Sequence, residues 1–326
     1  MVQANTTQDI RLDGHADELE IRDKKDVQAL LDRYDAFLFD CDGVIWHLDD
    51  REKMTPDAAE TINFLKDTGK KVNFVTNNGS KSRGEYLEKF RKHGFNVELE
   101  EIHTSGSATA GYVRDVVLPD ISDKSKRKVY VIGSDSFEKE LQANGLEWTG
   151  GTDPEDKEEL PPFDYSCIKA DPAVGVVVFQ FHTQITYKQL TKGFNYLASN
   201  EGCRLICTND NETMLIENGG SAPGAGALLK VLLAALPEDK QPVIVSKPWQ
   251  EYMDQIRRRT DFDRRRTVFV GDRVQTDVLF ANRGGLDSLL VFSGRTQPDD
   301  LHHLTAEQAP NYTMSHIGVL QEGKET

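Results

Sequence analysis

The chain has 326 residues, 29% of them charged and 38% hydrophobic, and a formal net charge of −15 at pH 7. That acidity argues against nucleic acid or an anionic membrane as partner, since both need a basic surface, and no apolar run approaches the ~18 residues of a membrane span. Four cysteines in so long a chain make no disulfide framework, and Cys203 and Cys207 lack a second pair at metal-ligand spacing, so all four read as reduced and mostly buried.

Met1 to Lys25 is polar, without the basic-then-apolar order of a signal peptide and too acidic for a transit peptide. This predicts a cytoplasmic protein with residues 1–24 as a mobile extension. Lys25 to Tyr34 reads as a helix feeding the apolar run Ala36 to Phe39, which has the length and composition of a buried strand. The run stops on Asp40-Cys41-Asp42-Gly43. Burying Asp40 unpartnered would cost on the order of 2–7 kcal/mol even for a neutral polar group, so something must sit on it. Gly43 lets the chain turn, and carboxylates two apart on an extended backbone can face one point, as a hard divalent cation and a phosphate require. Taken alone, the tetrapeptide reads equally well as a polar turn. An EF-hand fits poorly, because its glycine stands sixth in the loop and this one stands fourth.

Thr55-Pro56 predicts the N-cap and first position of a helix carrying Ala58, Ile62 and Leu65 as far as Gly69. A second strand, Val72 to Val75, ends on Thr76-Asn77-Asn78-Gly79, and a helix from about Ser82 ends at Gly94. From Tyr112 onward the pattern restarts: strands at 128–132, 174–181 and 204–208 alternate with helices at 137–143, 187–198 and 226–235, and an acidic exposed loop spans 150–160. This predicts an α/β domain, residues 111–241, inserted between two halves of another, 25–110 and 242–326. Pro242 to Val245 then leads to Lys247-Pro248, and Thr267 to Val270 leads to Gly271-Asp272-Arg273. Thr276-Asp277 opens a helix that stops at Gly284-Gly285, and Ser288 to Phe292 is a last strand.

Four apolar strands, at 36–39, 72–75, 243–245 and 267–270, thus end on candidate chemical groups. In an open parallel α/β sheet ligands bind outside the carboxyl ends of the strands, so these groups should converge on one edge. Their chemistry suits phosphoryl transfer. Asp40 would be the nucleophile, and Asp42 the general acid and base. Lys247, the Thr76 hydroxyl and the backbone around Asn77 would offset transition-state charge, and a Mg²⁺ ion would bridge Asp40 and Asp272 to the phosphate. Asp277 would orient a metal-bound water or serve as a helix N-cap. Each signal has a bland counterpart: Lys247 before proline can be a turn lysine, and Thr76 to Gly79 an ordinary turn. The arginines at 257–259 and 264–266 stand beside Asp261 and Asp263 and read as a solvated helix end. Pro223-Gly224-Ala225-Gly226 is half a dinucleotide fingerprint with Leu229 at the third glycine, and no P-loop is present.

Together these motifs resemble the haloacid dehalogenase superfamily. The resemblance rests on Asp40-Cys41-Asp42-Gly43-Val44-Ile45-Trp46, Val75-Thr76-Asn77-Asn78 followed by Lys81-Ser82-Arg83, Lys247-Pro248, and Gly271-Asp272-Arg273 with Thr276-Asp277. It is closest to the branch of phosphoglycolate phosphatase, 4-nitrophenylphosphatase and pyridoxal phosphatase. It implies a Rossmann-like parallel core with a large inserted α/β cap and Mg²⁺ held by Asp40, the backbone carbonyl of Asp42, and Asp272. It also implies a small phosphorylated metabolite, most readily 2-phosphoglycolate, as substrate, and a homodimer. Asp42 sets the chain apart from the dehalogenases, which lack that carboxylate. The sequence departs from the family pattern at Gly79, where a serine is usual, and at Gln180-Phe181-His182, where Gly-x-Asp is common. His182, Asn209 and Asp210 of the cap are therefore the expected readers of the leaving group. A phospho-accepting receiver module and a phosphomutase are the competing readings; receivers are small, and lack a carboxylate two residues after the acceptor.

Overall fold

A computed structural model describes residues 19–216, 220–238 and 240–324. Strands β1 (Leu19–Glu20), β2 (Ala36–Phe39), β3 (Lys71–Thr76) and β4 (Ile102–Thr104) open a first sheet. Strands β5 (Lys128–Ile132), β6 (Trp148–Gly150), β7 (Val174–Phe179) and β8 (Arg204–Cys207) begin a second, and β9 (Thr213–Leu215) and β10 (Ser221–Pro223) make an antiparallel hairpin. Strand β11 (Val243–Ile244) completes the second sheet, and β12 (Thr267–Gly271), β13 (Asp287–Val291) and β14 (Tyr312–Met314) return to the first. The sheet orders are β1-β14-β13-β12-β2-β3-β4 and β11-β8-β7-β5-β6, with every pair parallel.

Strand β2 shows why the first sheet is covered on both sides. Side chains alternate across a strand, so Phe37 and Phe39 enter a cluster with Trp46, Ile62, Phe74 and Phe90, while Leu38 faces the opposite way with Val75 and Phe269. Truncating Phe39 to Ala would cost about 3–5 kcal/mol. The second cluster continues through the helices Ser105–Tyr112 and Gln250–Arg259 into Val129, Val131, Val176 and Val178 of the second sheet. The inserted domain therefore shares a hydrophobic core with the domain that receives it.

Several boundaries differ from those predicted. Val243 and Ile244 pair with Ile206 and Cys207, and the Val245 N–H donates to the Cys207 carbonyl at 2.8 Å, so this strand is an edge of the cap sheet and not of the catalytic one. A short apolar run looks the same in either sheet; only its pairing decides. Residues 1–18 of the expected extension lie outside the described residues, but 19–24 do not: β1 pairs with β14, Ile21 is buried, and a helix starts at Lys24. The helix expected from Thr55-Pro56 begins at Ala58, after Asp57 takes a left-handed φ of 56°. The helix Ser105–Tyr112 had no sequence signal, since its Ser, Gly, Ala and Thr carry no apolar period, yet all but its last residue are buried. No described helix is long and apolar enough to cross a membrane.

Candidate active site

Strands β2 and β12 lie side by side, and the chain leaves them in opposite directions, β2 toward β3 and β12 toward β13. A crevice opens at such a switch point. Asp40 stands at the end of β2, Thr76 at the end of β3, and Asp272 just past β12. Lys247 reaches them from the cap sheet, carried in by a clamp: Asn77 accepts the Lys247 N–H on Oδ1 at 2.8 Å and donates from Nδ2 to the Lys247 carbonyl at 2.9 Å. The Lys247 Nζ lies 2.7 Å from Asp40 Oδ1 and 2.7 Å from Asp277 Oδ1, and donates to the Val75 carbonyl at 3.0 Å.

Asp277 is not the N-cap of a helix. It sits inside a π-turn, Val274–Val278, and its Oδ2 accepts the N–H groups of Asp272 at 3.2 Å and Arg273 at 3.1 Å. Asp272 accepts the Arg295 N–H at 2.7 Å. The backbone around it is tight: a Cβ on Gly43, whose φ is +90°, would stand 2.4 Å from Asp272 Oδ2, and one on Gly294 would stand 2.1 Å away. Asp42 points elsewhere. Trp46 Nε1 donates to it at 2.5 Å and Asn78 Nδ2 at 3.0 Å, with the Arg51 guanidinium 3.4 Å away. Trp46 is itself fixed, stacked on Tyr86 at 5.9 Å with the Lys89 ammonium 3.6 Å from its ring centre.

Asp40, Asp272 and Asp277 are buried together, with ligand atoms within 4.8 Å of one another. Burial drives the Asp40 carboxyl up, Lys247 pulls it back, and the charges of Asp277 and Asp42 raise it again, to about 7. Burial, with the charges of Asp277 and Asp40, holds Asp272 well above the carboxylate range. Lys247 is raised despite its burial, because Asp277 and Asp40 outweigh it. Three buried carboxylates share one ammonium, and Asp277 Oδ1 makes only an ion contact with no aligned donor. This oxygen-only, negatively overcharged donor set fits a hard divalent cation.

Asp40, Asp42, Thr76, Asn77, Lys247 and Asp272 line one cleft of about 240 Å³, and Asn209 lines it from the cap, its Nδ2 donating to the Asn77 carbonyl at 3.3 Å. His182 and Asp210 do not line it. The Asp210 carboxylate accepts from Trp249 Nε1 at 3.0 Å, and His182 turns toward its own Gln184 N–H at 3.3 Å. Gln180 takes the place expected of His182. It is buried between the domains, donating to the Gly79 carbonyl at 2.7 Å and accepting the Ser134 N–H at 2.9 Å. Nearby, Arg83 and Glu140 pair across the same boundary at 3.1 Å. Arg51, Asn78, Arg273 and Arg295 complete the wall. Nothing in the sequence marked Arg51 or Arg295, whereas Asn78 and Arg273 stood within motifs already singled out.

A family model described as haloacid dehalogenase-like hydrolase matches residues 37–147, and one described as HAD-hydrolase-like matches 244–320. The chain is 36% identical to a 4-nitrophenylphosphatase of Schizosaccharomyces pombe, over 91% of this chain and 97% of that one. It is 34% identical to the chloroplastic phosphoglycolate phosphatase 1A of Arabidopsis thaliana, over 90% of this chain and 78% of that one. Among solved structures, the 4-nitrophenylphosphatase of Thermotoga maritima superposes with a TM-score of 0.71 at 26% identity, covering 89% of this chain and 97% of its own.

Proposed function

The chain belongs to the haloacid dehalogenase-like hydrolases and is a phosphoric monoester hydrolase, and from that premise we propose that it is Mg²⁺-dependent, works through an aspartyl phosphate, and has 2-phosphoglycolate as its leading substrate. 4-Nitrophenyl phosphate is cleaved as well. The observation that carries the reading is Lys247 held between Asp40 and Asp277 at the floor of a cleft whose wall holds a second carboxylate, Asp42. A cleft of about 240 Å³ lies below the ~300 Å³ at which pockets for drug-sized ligands begin, which suits a small phosphate monoester.

The Asp40 oxygen not paired with Lys247 attacks phosphorus as the bond to the leaving alcohol breaks, and Asp42 gives that alcohol its proton. In the second half Asp42 takes a proton from water, whose oxygen attacks the aspartyl phosphate, frees phosphate and restores the Asp40 carboxylate. Lys247 and the Thr76 hydroxyl offset charge on the phosphoryl oxygens throughout. Asp40, Asp272 and the Asp42 backbone carbonyl would hold Mg²⁺, with Asp277 behind them, and the ion supplies positive charge beside the dianionic phosphate. Trp46, Asn78 and Arg51 orient the Asp42 carboxylate. Phosphate release in the presence of Mg²⁺ tests the reading. Wild-type protein turns over and Asp40→Asn loses roughly 10⁴-fold or more in kcat; an inactive wild type or an active Asp40→Asn sinks it.

A further inference from the structure

Arg273 and Arg295 both line the catalytic cleft, and their backbones are fixed on the same carboxylate neighbourhood. The Arg295 N–H donates to Asp272 Oδ2 at 2.7 Å, and the Arg273 N–H donates to Asp277 Oδ2 at 3.1 Å. Their guanidinium groups are left over. Among the described residues neither makes an ion pair or a side-chain hydrogen bond, and Arg273 Nε is buried with no partner at all. The third arginine of the wall, Arg51, is different, since it already faces Asp42 at 3.4 Å. The two guanidiniums are close enough to repel one another, and although Asp277, Asp272 and Asp40 lie near enough to act on Arg273, no carboxylate pairs directly with either group among the described residues. A buried N–H lacking an acceptor is costly, and a planar guanidinium matches a carboxylate through two parallel hydrogen bonds.

The catalytic groups sharpen the point. Asp40, Asp42 and Asp272 repel any second anion brought in with the phosphate, so a substrate carrying one would be rejected unless cations on the rim received it. We infer that Arg273 and Arg295 form a carboxylate-reading subsite, which makes the enzyme select compact phosphate monoesters whose alcohol portion bears a carboxylate. The inference rests on the phosphomonoesterase reading above and assigns its specificity to two named residues. Gln180 and Asn209, from the cap, supply only amides, and Lys247, the cation that the cap sheet brings to the cleft, is already held by Asp40 and Asp277.

The test compares 2-phosphoglycolate with glycerol 3-phosphate, whose alcohol is neutral, in wild type, Arg295→Gln and Arg273→Gln. The ratio of kcat/KM for the acid to that for the neutral ester falls by roughly 10–100-fold in each variant, carried by KM for the acid, as loss of a charge-assisted bond predicts. Arg295→Lys, which keeps the charge and loses the fork, recovers part of the ratio. A ratio that stays put in both glutamine variants, or losses shared equally by the two esters, overturns the subsite. Binding of both esters to Asp40→Asn and to Asp40→Asn/Arg295→Gln, by calorimetry with Mg²⁺, removes the dependence on turnover. Preference for the acid in the first and its loss in the second is the expected result; no preference in Asp40→Asn, or a preference surviving without Arg295, overturns the assignment. Failure of wild type to release phosphate counts against the esterase reading alone.

Discussion

The seven-stranded sheet and the five-stranded sheet are built alike, with parallel strands buried on both faces, but they end differently. In the first, β2, β3 and β12 run out onto Asp40, Thr76 and Asp272. In the second, β7 and β8 run out onto Gln180 and Thr208, an amide and a hydroxyl. The neutral ends touch the charged site through its backbone: Gln180 holds the Gly79 carbonyl, and Asn209, one residue past Thr208, reaches the Asn77 carbonyl. Lys247 is the exception, a charge delivered by the edge strand of the second sheet. The cap is thus a wall of the catalytic centre and is joined to it by a common core.

Four experiments probe that contrast. Asp42→Asn, on the first sheet, lowers kcat by roughly 10²–10⁴-fold for an alkyl phosphate and by less for 4-nitrophenyl phosphate, whose leaving group needs little protonation; normal turnover of the alkyl ester would show the acid/base assignment to be wrong. Lys247→Met, on the strand from the second sheet, costs roughly 10²–10³-fold in kcat, and a milder effect would demote the cap's contribution to packing. Phe137→Ala, in the cap but inside the shared core, destabilises by about 3–5 kcal/mol and lowers the melting of Trp46, beside Asp42, together with that of Trp148 in the cap sheet. Two separate transitions would mean independent domains.

The smallest effect is on pH. Asp40 and Asp272 are held above the unfolded carboxyl range, so in metal-free protein they keep protons that the unfolded chain has released. Their contribution is present below about pH 4 and is lost as pH rises toward the Asp40 value of about 7. Mg²⁺ supplies the missing positive charge, so it raises Tm more at pH 8 than at pH 5. Equal shifts at both pH values would place the ion elsewhere.

Much of this was legible in the sequence because buried strands announce themselves: an apolar run such as Phe37 to Phe39 halting on Asp40 can be read from composition alone. What stayed hidden depends on pairing across distance. Val243 to Val245 was recognisable as a strand but not as a strand of the cap. Arg51 and Arg295 lie in loops whose partners only the fold supplies. Gly79 and Gln180 stood out as separate departures from the family pattern, yet they meet: Gln180 Nε2 lies 3.3 Å from where a Cβ at position 79 would be. Each departure makes room for, or fills, the space of the other, and no local pattern could reveal that.

The Asn77 clamp joins residues 170 positions apart. While the chain is being synthesised, everything from β1 to β10 leaves the ribosome before Lys247 does, and Asp277 and Asp272 come later still. Until then the Asp40 carboxylate has no counter-charge and remains hydrated, and closing so long a loop is slow. The cap sheet likewise lacks its last edge strand over this interval. Assembly of the catalytic centre is therefore a late event in biogenesis, and a nascent chain is silent toward cellular phosphate esters until its final quarter has emerged.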